Sequence, residues 1–146
     1  YGGPGSKTII PSGAVAKIDM RLVPDQTPDE IWAKISAHIS KHAPDVEIIR
    51  LDGGMLPSFT PVEHPLAEVI RDAVEVGFGS RPIDIPLVGG SLPDAVWTNT
   101  LGLPSFLVPY GDPAQANHSP NESYAVERLK QGIVTSAALL VGLAER

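Results

Sequence analysis

Apolar and polar residues alternate strictly through residues 14–23. Ala14, Ala16, Ile18, Met20 and Leu22 fall on one side, and Val15, Lys17, Asp19, Arg21 and Val23 on the other. A period of two predicts a half-buried strand in a mostly antiparallel sheet. Thr8-Ile9-Ile10, set off by the turn Pro11-Ser12-Gly13, reads as a strand before it. The period then lengthens. Thr27-Pro28-Asp29-Glu30 puts a hydroxyl at a helix N-cap, Pro at the first helical position and Glu three residues after the cap. Ile31, Ile35 and Ile39 recur at helical spacing until Pro44 closes the segment, and residues 46–51 read as the next strand. Strand, strand, helix and strand make the unit of a small α+β sandwich.

Gly53-Gly54-Met55-Leu56-Pro57 breaks that unit, and Pro61 begins a connector. Beyond it, Leu66, Val69, Ile70, Ala73 and Val74 predict an amphipathic helix ending at Gly77 and Gly79. A short strand at 83–85 leads to Gly89-Gly90-Ser91 and a short helix over 94–101. Phe106-Leu107-Val108, held between Pro104 and Pro109, predicts a strand buried on both faces. A polar loop at 111–121 precedes a last helix with Val126, Leu129, Ile133, Ala137 and Leu140 on one face. Helices alternating with buried strands predict an α/β layer. The chain therefore divides into residues 1–61 and residues 62–146, each too small to bury its apolar surface comfortably alone.

Composition narrows the classes of function. The 146 residues are 42% hydrophobic and 19% charged, as in a soluble globular protein. No apolar run approaches the eighteen or so residues of a membrane span, and the net charge of −6 without a basic cluster argues against nucleic acid as a partner. There is no Cys, so disulfides and thiolate metal sites are excluded and His, Asp and Glu are the available ligands. A cytoplasmic location is the simplest expectation. The opening residues, Tyr1-Gly2-Gly3-Pro4-Gly5-Ser6, lack the basic start and apolar core of a signal peptide, and the absence of an initiator Met suggests that the natural chain begins upstream.

Three places could carry chemistry. Asn117-His118-Ser119-Pro120-Asn121-Glu122 presents a neutral imidazole suited to zinc on a loop after a predicted strand, with Asn121 and Glu122 able to orient the ring. Alone, a loop His is more often structural or merely exposed. Gly89-Gly90-Ser91 reads as a turn entering a Ser-x-x-Asp capping box with Asp94, and free N–H groups there would also suit a substrate carboxylate. Arg21 can grip a carboxylate bidentately, against the plainer reading of an Arg–Asp pair with Asp19 on a solvated face. His38 and His42 have the spacing of a two-His zinc site. The intervening Ile39-Ser40-Lys41 lacks the Glu of H-E-x-x-H, so an exposed helix face is the reading there, and His64 belongs to a helix start. No nucleophile elbow, phosphate loop or dinucleotide fingerprint occurs.

These motifs, in this order, resemble the M20 metallopeptidases, and most closely their carnosinase-like dipeptidase branch. Gly5-Ser6-Lys7-Thr8-Ile9-Ile10-Pro11 and the stretch from Ala16 to Gln26 resemble the lid signature of that branch. Gly89-Gly90-Ser91-Leu92-Pro93 resembles its substrate-binding motif, and His118-Ser119-Pro120-Asn121-Glu122 its final metal-ligand motif. The resemblance implies an α+β lid segment, part of an antiparallel sheet with helices, over residues 1–61. Residues 62–146 would then be the C-terminal part of an α/β zinc-peptidase catalytic domain. It implies that His118 ligates one of two zinc ions, with Mn or Co as alternative metals. Ser91, the Gly89-Gly90 backbone and Arg21 would hold the C-terminal carboxylate of a small peptide or N-acyl amino acid, and Thr8 would reach the partner's site in a homodimer built through the lid.

The sequence also departs from that pattern. The His-x-Asp ligand pair, the bridging Asp, the Glu general base, a further acidic ligand and a lid His match nothing here, and Leu87-Val88 stand where the branch has an Arg-Glu pair. One His cannot hold a catalytic zinc, which takes three protein ligands. The expectation is a fragment of a metal-dependent peptide or amide hydrolase, inactive without a missing N-terminal part. The alternatives are a non-catalytic dimerisation or carboxylate-binding module, and an N-acyl-amino-acid deacylase.

Overall fold

The computed structural model describes residues 5, 8 and 10–146. Helix α1, Pro28–His42, starts where the sequence caps it. The Glu30 N–H donates to Thr27 Oγ1 at 3.3 Å while the Thr27 N–H donates to Glu30 Oε2 at 3.2 Å, so two otherwise orphaned donors are satisfied reciprocally. The helix closes as the Ala43 N–H donates to Ile39 O at 2.7 Å, one residue before Pro44. Ile31, Ile35 and Ile39 are only half-buried, and α1 contains no buried residue. Its neighbours are local: Arg50 pairs with Asp29 at 2.7 Å and lies 5.8 Å over the Trp32 ring.

Helices α2, Pro65–Phe78, and α3, Val126–Ala144, pack against each other and form the only helix pair in contact among the described residues. His64 caps α2 as its Nδ1 accepts from the Leu66 N–H at 3.2 Å, Pro65 takes the first helical position, and Gly79 ends the helix at φ 75°. The pair runs antiparallel, with Val69 against Gly142 at one end and Gly77 against Thr135 towards the other. Arg146 Nη1 donates to Pro65 O at 3.2 Å. Ala67, Val69 and Ala73 are buried from α2, and Gly132 and Thr135 from α3, so small residues let the two backbones approach closely. At Gly77 the approach is closest: an added Cβ would run into Thr135 Oγ1 and stand 2.7 Å from Gln131 O. Thr135 is 1% exposed and its hydroxyl finds no hydrogen-bond partner among the described residues.

An ion network straps the segment after α2 back onto that helix. Arg71 pairs with Glu68 at 2.8 Å and Asp84 at 2.8 Å, and donates to Val62 O at 2.6 Å. Arg81 reaches Asp72 at 3.0 Å, Glu75 at 3.3 Å and also Glu68. The hydrogen bond from Arg71, followed by that from Arg81, holds the Glu68 carboxyl below its ordinary range.

The expected sheets are not present. Among the described residues there is no strand, so neither the antiparallel sheet of the lid segment nor the strands expected at 46–51, 83–85 and 106–108 are formed. The strand expected at 8–10 includes Ile9, which lies outside the described residues. Alternation sorts side chains onto two sides, but a strand is defined by a ladder to a neighbour about 4.8 Å away. No described segment supplies that neighbour. The exposure is correspondingly high: Val15 is 89% and Ile83 91% exposed, and Leu107, expected to be buried, is 58% exposed. Irregular structure between the helices also includes a π turn at Val96–Thr100 and a 3-10 turn at Pro113–Gln115. The first falls where a short helix was expected. It starts from Ala95 without a side-chain cap, so the capping box read at Ser91 and Asp94 does not form. No helix among the described residues is long and apolar enough to cross a membrane.

Candidate functional site

Seventy residues separate Arg21 from Ser91, and the fold brings their side chains together: Arg21 Nη1 donates to Ser91 Oγ. The other edge of the guanidinium is held from within its own segment, where Nε pairs with Asp19 Oδ2 at 2.9 Å. The Arg–Asp pair read as the plainer alternative is thus formed, and the same side chain also reaches Ser91. A guanidinium carries five donors in a fixed fork, so both contacts can be made while donors stay free.

Around Ser91 the backbone is open. Residues 87–92 are exposed, and beyond the adjoining residues no atom of the described residues lies within 4 Å of the space a Cβ would take at Gly89 or Gly90. Among the described residues the N–H groups of Gly89, Gly90 and Ser91 have no backbone acceptor. Unpaired amide donors beside an arginine are suited to an anion. The donors belong to a loop and not to the helix N-terminus that the capping box implied.

Next in sequence, Pro93, Ala95, Val96, Asn99 and Thr100 close an open, mostly apolar cleft of about 180 Å³ with Met55 and Leu56. Three hydrogen bonds hold its walls together. Thr98 Oγ1 donates to Ser58 Oγ at 3.0 Å, Asn99 Nδ2 donates to Pro57 O at 3.1 Å, and the Ser105 N–H donates to Thr60 Oγ1 at 3.0 Å. Sequence reading missed this cleft, because its two sides lie about forty residues apart and neither has a periodic signature. The one available signal was the apolar Met55-Leu56-Pro57 directly after two glycines.

His118 lies on a loop that is fixed at its base and strained at its tip. Tyr110 stacks on Phe78 with ring centres 6.2 Å apart, its hydroxyl meets Ser136 Oγ at 3.0 Å, and its ring occupies the space a Cβ at Gly132 would need. The Tyr124 hydroxyl returns to Tyr110 O at 3.1 Å, and the Ser123 N–H donates to Gln115 O at 3.0 Å. Within this frame Ala116, His118 and Asn121 all take left-handed backbone, at φ 57°, 61° and 63°. Such conformations cost of order 1 kcal/mol or more each in non-glycine residues and persist where the surroundings over-determine them. The His118 side chain is exposed, and no hydrogen bond joins it to Asn121, Glu122, Arg21 or Ser91. Thr8 is likewise exposed.

Among the described residues no group of three or more His, Asp or Glu stands close enough to hold a metal ion. His118 is one donor without companions, so the chain as described does not fit a catalytic zinc centre.

Residues 1–47 match the peptidase dimerisation domain of the M20 peptidases. Over 97% of its length the chain is 22% identical to the Beta-Ala-His dipeptidase of Homo sapiens, and over 97% it is 24% identical to that of Rattus norvegicus. It is 26% identical, over 91% of its length, to a Cys-Gly metallodipeptidase of Schizosaccharomyces pombe. The resemblance drawn from the motifs therefore holds: the chain is similar to M20 dipeptidases over nearly its whole length, and residues 1–47 to their dimerisation domain. It spans only 29%, 30% and 29% of these three relatives. No solved structure matches it.

Proposed function

We propose that this chain forms the carboxylate grip of an M20-type dipeptidase that cuts a peptide or amide bond in a small substrate with a free C-terminal carboxylate. The observation that carries the reading is the Arg21–Ser91 hydrogen bond, formed across the two segments proposed here as a dimerisation part (1–61) and a catalytic-domain part (62–146). In this reading Arg21 donates to the substrate carboxylate from one side. The Ser91 hydroxyl and the Gly89, Gly90 and Ser91 amides donate from the other, and the apolar cleft between Met55 and Thr100 borders the site. Thr8 belongs to the same recognition surface, contributed across a homodimer.

His118 is proposed as one metal ligand whose companions and general base lie in the part of the relatives' length that this chain does not span. Because the residues here do not make a metal centre, the role derived for them is binding and orientation. A carboxylate-binding module is accordingly the second reading for the chain by itself, favoured by the lack of any three-ligand cluster among the described residues.

Titration with an N-acyl amino acid and with its C-terminal amide tests the proposal. The acid is expected to bind at least about tenfold more tightly than the amide, a difference of about 1.4 kcal/mol, and Arg21→Ala is expected to abolish that preference. Equal binding of acid and amide, or an undiminished preference in Arg21→Ala, would refute the grip.

A further inference from the structure

We propose that His38 and His42 form a surface site for a divalent late-transition-metal ion of the nickel, copper and zinc class. The two residues sit four apart near the C-terminal end of α1, and their ring centres are 4.5 Å apart with the planes inclined by 37°. Side chains at i and i+4 stand one above the other on one helix face, so two imidazoles at that spacing can close on a single ion. Two imidazoles bound side by side, each with a metal–nitrogen distance of about 2.1 Å, place their ring centres roughly 4.5–5 Å apart. The rings already have a separation compatible with that arrangement.

Three further features suit a cation here. Both imidazoles are exposed, leaving the remaining coordination positions to water. The site lies over the last turn of the helix, where unpaired carbonyls favour positive charge. Imidazole nitrogen is also a preferred donor for this group of metals, with affinity rising from nickel to copper and falling again at zinc. The absent Glu of H-E-x-x-H removes a general base and leaves the two nitrogen donors intact. The site is thus a binding site and a one-turn staple. It bears on α1 in particular, because that helix has no buried residue and touches no other helix among the described residues.

Nickel ion added to the whole chain, followed by nuclear magnetic resonance of the four histidine rings and by calorimetry, tests this. The expected result is one equivalent bound, with paramagnetic broadening strongest at His38 and His42. Affinity should fall at least about tenfold in His38→Ala and in His42→Ala, since each variant loses the chelate. Alanine is a good helix former, so both variants keep α1, which circular dichroism checks directly. Slower amide exchange in the last turn of α1 on adding nickel is expected in the unaltered chain and not in the variants. No binding at about 1 mM nickel, the weak end of specific affinity, would overturn the proposal. So would binding that persists in both variants, or broadening that centres on His64 or His118.

Discussion

Helices α1 and α2 use similar local signals and end in opposite situations. Each of α1 and α2 starts with a side-chain cap and a Pro at its first position. Yet α1 buries no residue fully, while α2 buries Ala67, Val69 and Ala73 against an α3 that presents Gly132 and Thr135. Local chemistry starts a helix, and tertiary packing decides whether the helix contributes to a core. The α2–α3 pair is therefore expected to carry the cooperative stability of the described chain, with α1 adding a locally held element that can open independently.

The sharpest way to break this comparison is at Gly77. Gly77→Ala inserts a methyl group into space held by Thr135 Oγ1 and the Gln131 carbonyl, one of which is rigid backbone. The gain in helix propensity, about 1 kcal/mol, is smaller than the overlap, so the variant should lose about 1–3 kcal/mol. Urea unfolding followed by helical circular dichroism reads this, and an unchanged midpoint would show that the helices do not meet as described. At α1, Thr27→Ala removes the hydroxyl half of the capping box and should cost that helix about 1 kcal/mol. Amide exchange should accelerate within α1 and leave α2 and α3 unchanged. Faster exchange across all three helices would mean that α1 is coupled to the pair after all.

The smallest expected effect concerns Glu68. Its carboxyl is held below the ordinary value of 4.5 by hydrogen bonds from Arg71 and then Arg81. A depressed carboxyl pKa contributes stability that is present above the unfolded-state value and is lost as pH falls through the folded-state value. The contribution should therefore be complete above about pH 4.5 and fade below it. Glu68 and Arg81 are solvent-exposed and Arg71 partly so, and salt should weaken the effect as well. A thermal midpoint measured from pH 6 downwards should fall slightly more in the natural chain than in Glu68→Gln, and the difference should shrink in high salt.

Much of the helical structure was legible because its signals are local. Thr27 and Glu30 predict the capping box that forms, Pro44 follows the last turn of α1, and the apolar spacing from Leu66 to Val74 marks the helix that ends at Gly79. The strands were misread because alternation through residues 14–23 records two-sidedness and says nothing of a pairing partner. The Ser91–Asp94 box failed for a similar reason: the short motif was right in spacing, but the chain turns into a π turn only at Val96.

The candidate site divides along the same line. Arg21, Gly89, Gly90, Ser91 and His118 could each be singled out by residue type and motif, and His38 and His42 share a face by helical spacing alone. By itself the sequence determined where α1 and α2 start and stop, which residues are candidates for binding an anion, and the resemblance to M20 dipeptidases. Only the tertiary structure decided that Arg21 meets Ser91 across seventy residues, that Met55 and Leu56 face Val96, and that the His118 loop bends through three left-handed residues. Caps and periodicity are set within a few residues of the chain. A contact between distant segments depends on how every intervening element packs, and no local pattern encodes that.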